Sequence, residues 1–144
     1  MVKVSESFSF EVPDDWRDDS DAQRQVFHGP EGEELIVSGA GVEGTSGPDE
    51  RALLSERVLG NALDALTSML DGPGLRRATP ALATTVHNKC QFWRGEARSN
   101  DGATFFGGVV ACDENAVLML TFEAPFSEQR AAEFGRLLGT IRAR

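Results

Sequence analysis

A chain of 144 residues and 15.6 kDa is about one domain's worth, enough to build a core without disulfide or metal support. Its 23 acidic and 14 basic side chains leave a net charge of -9, which repels phosphate and argues against duplex DNA or RNA as a partner, since no basic run is present to offset it. No apolar run approaches the roughly 20 residues of a membrane span, and the opening Met1-Val-Lys-Val-Ser-Glu-Ser lacks the apolar centre of a secretory signal, so no membrane insertion and a cytoplasmic location are expected.

The chain opens with Phe8, Phe10 and Val12 alternating with Ser9 and Glu11, the period of a strand buried on one face, and Pro13-Asp14-Asp15 ends it. An acidic stretch to Asp21 reads as an exposed loop. Gln25–His28 and Glu34–Ser38, separated by Gly29-Pro30-Glu31-Gly32, form a hairpin. Residues 39–48 are a glycine-rich loop. Beyond it Pro48, Asp49 and Glu50 suit a helix N-terminus, and Leu53, Leu54, Val58, Ala62, Leu63, Leu66 and Leu70 recur at three- and four-residue steps until Asp71-Gly72-Pro73-Gly74 stops the helix. Ala81–Val86 is a strand, and His87–Arg98 and Ala103–Cys112 flank Ser99-Asn100-Asp101-Gly102 as a second hairpin. Val117–Phe122 is apolar on both faces, as a central strand covered from both sides should be. Ser127 then caps a final helix, with Phe126 and Ala131 as a hydrophobic staple and Phe134, Leu137, Leu138 and Ile141 as its buried stripe. The order β-β-β-α-β-β-β-β-α, in one domain spanning residues 1–144, predicts an α+β fold: an antiparallel sheet with a helix on each face.

The charge is uneven along this order. Residues 1–72 carry 16 acids against five bases, a balance of -11, while residues 73–144 carry seven acids against nine bases, a balance of +2. A basic or apolar protein partner is therefore expected rather than an anionic one.

No catalytic motif withstands inspection. Gly39-Ala40-Gly41-Val42-Glu43-Gly44 matches the dinucleotide pattern G-x-G-x-x-G, but the helix begins only at about Pro48 and no parallel βαβ unit follows, so its amides cannot meet a pyrophosphate. His87-x-x-Cys90 on a continuous strand points its two side chains to opposite faces, against both a zinc site and a Cys-His pair. The Asp14–Asp21 cluster lacks the glycine and the third ligand of an EF-hand loop. No metal and no cofactor are implied. Cys90 and Cys112 are expected as unbonded neighbours on adjacent strands: pairing across a two-residue turn opposes Cys90 to Ala111, and across a three-residue loop opposes the cysteines directly.

The strand running into Val12-Pro13-Asp14-Asp15-Trp16, the short hairpin, the long helix, the four-strand meander and the last helix with Phe134-Gly-Arg-Leu-Leu-Gly-Thr-Ile141 resemble the PsbP-like fold, and within it the bacterial DcrB-like family. One branch of that family, whose opening Pro13-x-x-Trp16-x-Asp18 resembles, comprises small acidic cytoplasmic adaptor-chaperones of type VI secretion. These dimerise and hold apolar transmembrane helices of effectors before export. The resemblance implies a non-catalytic, homodimeric adaptor whose sheet face accepts a partner segment, with Phe27, Ile36, Ser38, Gln91, Trp93 and Phe105 as candidate contacts. Two other classes stay open: an immunity-type inhibitor covering a basic toxin or enzyme with the acidic N-terminal half, and a small-molecule role under the 39–47 loop.

Overall fold

A computed structural model describes residues 2–4, 8–22, 24–41, 48–78, 82–87, 90–113 and 116–143. In chain order these form β1 (Val2–Val4), β2 (Phe8–Glu11), β3 (Arg17–Asp18), β4 (Gln25–His28), β5 (Glu34–Gly41) and the helix α1 (Pro48–Leu70). There follow β6 (Leu75–Arg77), β7 (Ala83–His87), β8 (Cys90–Ser99), β9 (Thr104–Cys112), β10 (Ala116–Pro125), α2 (Glu128–Gly139) and β11 (Arg142–Ala143). Both helices and every longer strand stand in the order expected. The two-residue and three-residue strands are additions, too short to leave a periodic signal.

The main sheet is antiparallel, in the order β3-β4-β5-β10-β9-β8-β6, with β7 also on β8. The doubly apolar strand is indeed central: β10 lies between β5 and β9, with Leu118 opposite Gly39 on one side and Ala111 on the other. Leu118, Leu120 and Phe122 enter one core cluster while Val117 and Met119 belong to the other. The two faces are covered by different helices, as two consecutive glycines of β9 record. A Cβ at Gly107 would meet the ring of Phe134 in α2, and one at Gly108 would overlap Leu66 of α1. Successive strand residues point oppositely, so the helices lie on opposite sides.

The larger core, on the α2 side, is aromatic. Phe134 stacks on Phe122 with ring centroids 5.6 Å apart, Phe105 meets both edge-on at 5.9 and 6.0 Å, and Trp16 stacks on Phe122 from the other side at 6.1 Å. A second sheet, β1-β2-β11, brings Phe8 and Phe10 into this core and ties the two ends of the chain together; the Glu11 amide donates to Thr140 Oγ1 at 2.9 Å. The smaller core, on the α1 side, holds Leu66 and Leu70 against Ala97, Val110 and Val117. At the start of α2 the Ser127 hydroxyl accepts the Arg130 amide at 3.1 Å, the cap expected there.

Two registers differ from expectation. His87–Arg98 is not one strand: His87 pairs with Cys90 across a reversal, making β7 and β8 antiparallel neighbours and placing both residues on one face. At the other end of β8, Arg98 opposes Phe105 and Gln91 opposes Cys112. The intervening loop is longer than a two- or three-residue turn because side chains stabilise it. Ser99 Oγ accepts the Thr104 amide, Asp101 Oδ1 accepts the Ala103 amide, and Gly102 takes φ +74°. One residue of slip reverses a side chain's face, so Cys90 faces the α2 core and Cys112 the α1 core. Neither cysteine is in a disulfide.

Candidate functional site

Helix α1 packs on β8, β9 and β10, so its face of the sheet is less completely covered along β4 and β5. There Val26, Ile36, Ser38 and Met119 are only half-buried, while their counterparts on the α2 side, Phe27, Leu35, Val37 and Leu118, are fully buried. Beside the last turn of α1 the sheet leaves a cleft of about 250 Å³, lined by Ile36, Met69, Phe106 and Thr121 and edged by Glu34 and Glu123. Met69 is 42% exposed, an apolar side chain standing at the lip. Small-molecule sites usually enclose roughly 300–1,000 Å³, so this space suits a few side chains of a partner better than a whole ligand.

The edge of the cleft is set by strand register. Phe106 opposes Glu123, Glu123 opposes Glu34, Glu34 opposes His28, and His28 opposes Arg17, forming one cross-strand row over five neighbouring strands. Two carboxylates are thereby adjacent, and like charges directly opposite each other on a sheet are unfavourable. Glu34 is relieved by His28, whose Nε2 lies 3.1 Å from Glu34 Oε2 and whose Nδ1 lies 2.6 Å from Asp19 Oδ2. Only the protonated ring donates from both nitrogens. The hydrogen bond to Asp19, then that to Glu34, accordingly raises the imidazole above its ordinary value of 6.5. Asp19 is held below the usual carboxylate range by Arg17 first and His28 second. Glu123 has no ion-pair partner among the described residues.

Glu34 and Glu123 also border a second, wider groove of about 540 Å³, lined on its polar side by Arg17, His28, Glu33 and Thr104. The two spaces therefore share a border, the Glu34 and Glu123 pair beside the β4–β5 turn. Beneath that turn Glu33 is buried and accepts the Glu31 amide at 2.7 Å. Glu133 of α2 is raised above its ordinary carboxyl value by burial and then by Glu33, while Arg130 pairs with Glu31 and Glu133. This buried carboxyl pair, with its arginine, fastens the turn to α2.

Of the six candidate contacts, Ile36, Ser38, Gln91 and Trp93 share the α1 face: the first two lie beside the cleft on β5, the last two across the sheet on β8. Phe27 and Phe105 do not join them. They are 0% and 2% exposed in the aromatic core on the opposite face, so they cannot be partner contacts. Met69, Glu34 and Glu123 were not among the candidates. Glu34 carried a signal in being an acid on a strand, but its neighbour is supplied by a strand far along the chain.

The other motifs resolve into structure. Gly39 and Gly41 are strand residues of β5 opposite Leu118 and Ala116, and the rest of the glycine motif and most of the 39–47 loop lie outside the described residues. In the acidic stretch, Asp18 and Asp21 accept the Ser20 and Arg24 amides and Asp19 binds Arg17 and His28. His87 and Cys90 share a face, but His87 leans on Phe92 and Cys90 is fully buried. Among the described residues, no three His, Cys, Asp or Glu side chains gather so as to hold a metal ion, and no helix is long and apolar enough to cross a membrane.

No protein-family model and no curated protein matches the sequence. Solved structures do. The chain is similar to cyanobacterial PsbP (CyanoP) from Synechocystis sp. PCC 6803, with a TM-score of 0.53 and 14% identity over 95% of this chain and 86% of that one. It is likewise similar to LpqN, involved in cell envelope biogenesis of Mycobacterium tuberculosis, with a TM-score of 0.56 and 14% identity over 94% of this chain and 82% of that one. At this identity the likeness concerns architecture, and the chain has the PsbP-like fold.

Proposed function

We propose that this PsbP-like chain is a non-catalytic adaptor or chaperone that holds an apolar segment of a protein partner on the α1 face of its sheet. The observation that carries the reading is the cleft between α1 and β5. It is lined by the apolar side chains of Ile36, Met69 and Phe106 and stands open at its lip, where Met69 is exposed. Apolar side chains of an extended or helical segment would anchor there, with Ile36 and Met69 on either side. The Val12–Trp16 turn, its resemblance to the DcrB-like family, and the net acidity favour a more specific reading within this one: a cytoplasmic carrier for the apolar helix of a type VI secretion effector.

An inhibitor that covers a basic toxin with the acidic N-terminal half has less support. Several of the acids it would need are already engaged within the molecule, Asp19 by Arg17 and His28 and Glu31 by Arg130.

A synthetic apolar helical peptide titrated against the protein tests the proposal, with fluorescence of Trp16 and Trp93, the chain's two tryptophans, as the readout. Binding is expected, and Ile36→Asp or Met69→Asp should abolish it while far-ultraviolet dichroism stays unchanged. No binding at about 100 μM peptide, or binding indifferent to both substitutions, refutes the reading.

A further inference from the structure

The structure assigns a charge to the segment that the cleft receives: we infer that its apolar anchor is flanked on one side by a lysine or arginine, which the Glu34–Glu123 pair accepts. The inference rests on the docking reading above and adds the chemistry of what docks. Glu34 and Glu123 are direct register partners on β5 and β10, which sets two like charges side by side on one face of the sheet. The molecule itself relieves only one of them, through His28 at 3.1 Å from Glu34. Glu123 is exposed and has no ion-pair partner among the described residues.

The pair also has a particular place. Both carboxylates edge the apolar cleft and the polar groove, standing at the junction between the two. A side chain with a long apolar stem and a cationic head matches that junction: its methylenes lie along Phe106 and Met69 and its charge reaches the two acids. An acidic residue at the same position would meet two carboxylates, and a neutral one would leave their repulsion in place. Arginine fits best, because its planar fork can span two carboxylates.

Three synthetic helical peptides that share one apolar segment and differ only in ending with two lysines, two glutamines or two glutamates give the test, each also made with the charged pair at the opposite end. Anisotropy of a label on each peptide reports its affinity. One lysine orientation should bind at least about tenfold more tightly than its glutamate counterpart. Glu34→Gln/Glu123→Gln should erase that preference without abolishing binding of the glutamine peptide. Removing two exposed acids elsewhere, Glu56→Gln/Glu128→Gln, should leave it in place and so separates a local effect from that of net charge.

Equal binding of all peptides overturns the inference and leaves the docking reading standing. A lysine preference that survives Glu34→Gln/Glu123→Gln overturns it as well, since the charge is then read elsewhere. Failure of every peptide to bind overturns both. Thermal melts of the variants check folding independently, against a parent in which Glu34 also pairs with His28.

Discussion

Replacing Gly107 by alanine puts a methyl group against the ring of Phe134 in the aromatic core. The added Cβ would stand 2.6 Å from Phe134 Cε2 and 2.8 Å from both Cδ2 and Cζ, closer than the 3.0 Å below which neighbours must shift. To restore ordinary carbon contact of about 3.5 Å the ring must retreat by roughly 0.9 Å. It has nowhere to go, being stacked on Phe122 at 5.6 Å, edge-on to Phe105 at 5.9 Å and capped by the Arg94 guanidinium at 5.2 Å from its centroid. Overpacking of this kind costs about 1–3 kcal/mol, and three rigid ring atoms place it near the upper end. Loss of a glycine's unfolded-state freedom offsets about 0.4–1 kcal/mol, so the net destabilisation should be about 2 kcal/mol. For a chain of this length that corresponds to a melting point lowered by roughly 8 °C. Gly108→Ala collides with a single terminal methyl of Leu66, which can rotate, and should cost less. Urea unfolding followed by tryptophan fluorescence measures both, since Trp16 sits in the same core. In a Phe134→Leu background the cost of Gly107→Ala should fall below about 0.5 kcal/mol, the signature of a direct contact. A Gly107→Ala protein within about 0.5 kcal/mol of the parent, or one whose cost is unchanged by Phe134→Leu, refutes the reasoning.

The bridge at His28 makes stability depend on pH in a stated direction. Its folded value is raised above 6.5, so its contribution is complete below that value and is lost as pH rises through the folded value. Asp19 is lowered from 3.8, so its contribution is complete above that value and is lost as pH falls through the folded value. The stability difference between parent and His28→Gln should therefore shrink as pH rises above 6.5, and a difference that stays constant as pH rises would show the bridge to be inert. Ser127→Ala removes the α2 cap and should cost about 1 kcal/mol in urea unfolding; no change would mean that the amide of Arg130 finds another acceptor. In Ellman titration the unfolded, unreduced protein should show two thiols. In the folded protein Cys90 should stay silent and Cys112 should react slowly, because burial raises its thiol. Fewer than two thiols after unfolding would contradict the absence of a disulfide.

What the sequence determined by itself is the part of the fold written in short-range patterns. The three- and four-residue spacing ending in Leu66 and Leu70 specifies α1, Ser127 specifies where α2 starts, and the doubly apolar run at Val117–Phe122 specifies a strand that must be central. Each is decided by neighbours within a few residues, which is why periodicity and capping reveal it.

Only the tertiary structure decided which face and which partner each strand residue received. Phe27 and Ile36 are both apolar residues of the same hairpin, yet one lies in the aromatic core and the other beside the cleft, because two helices supplied from elsewhere in the chain cover the faces unequally. The cysteines were separated by a single residue of register set by the side chains of Ser99 and Asp101, a detail that turn length alone does not encode. The junction of Glu34 with Glu123 comes from strands on either side of α1 and the meander. Local pattern assigns each acid to a strand; pairing across the sheet is a property of the folded whole.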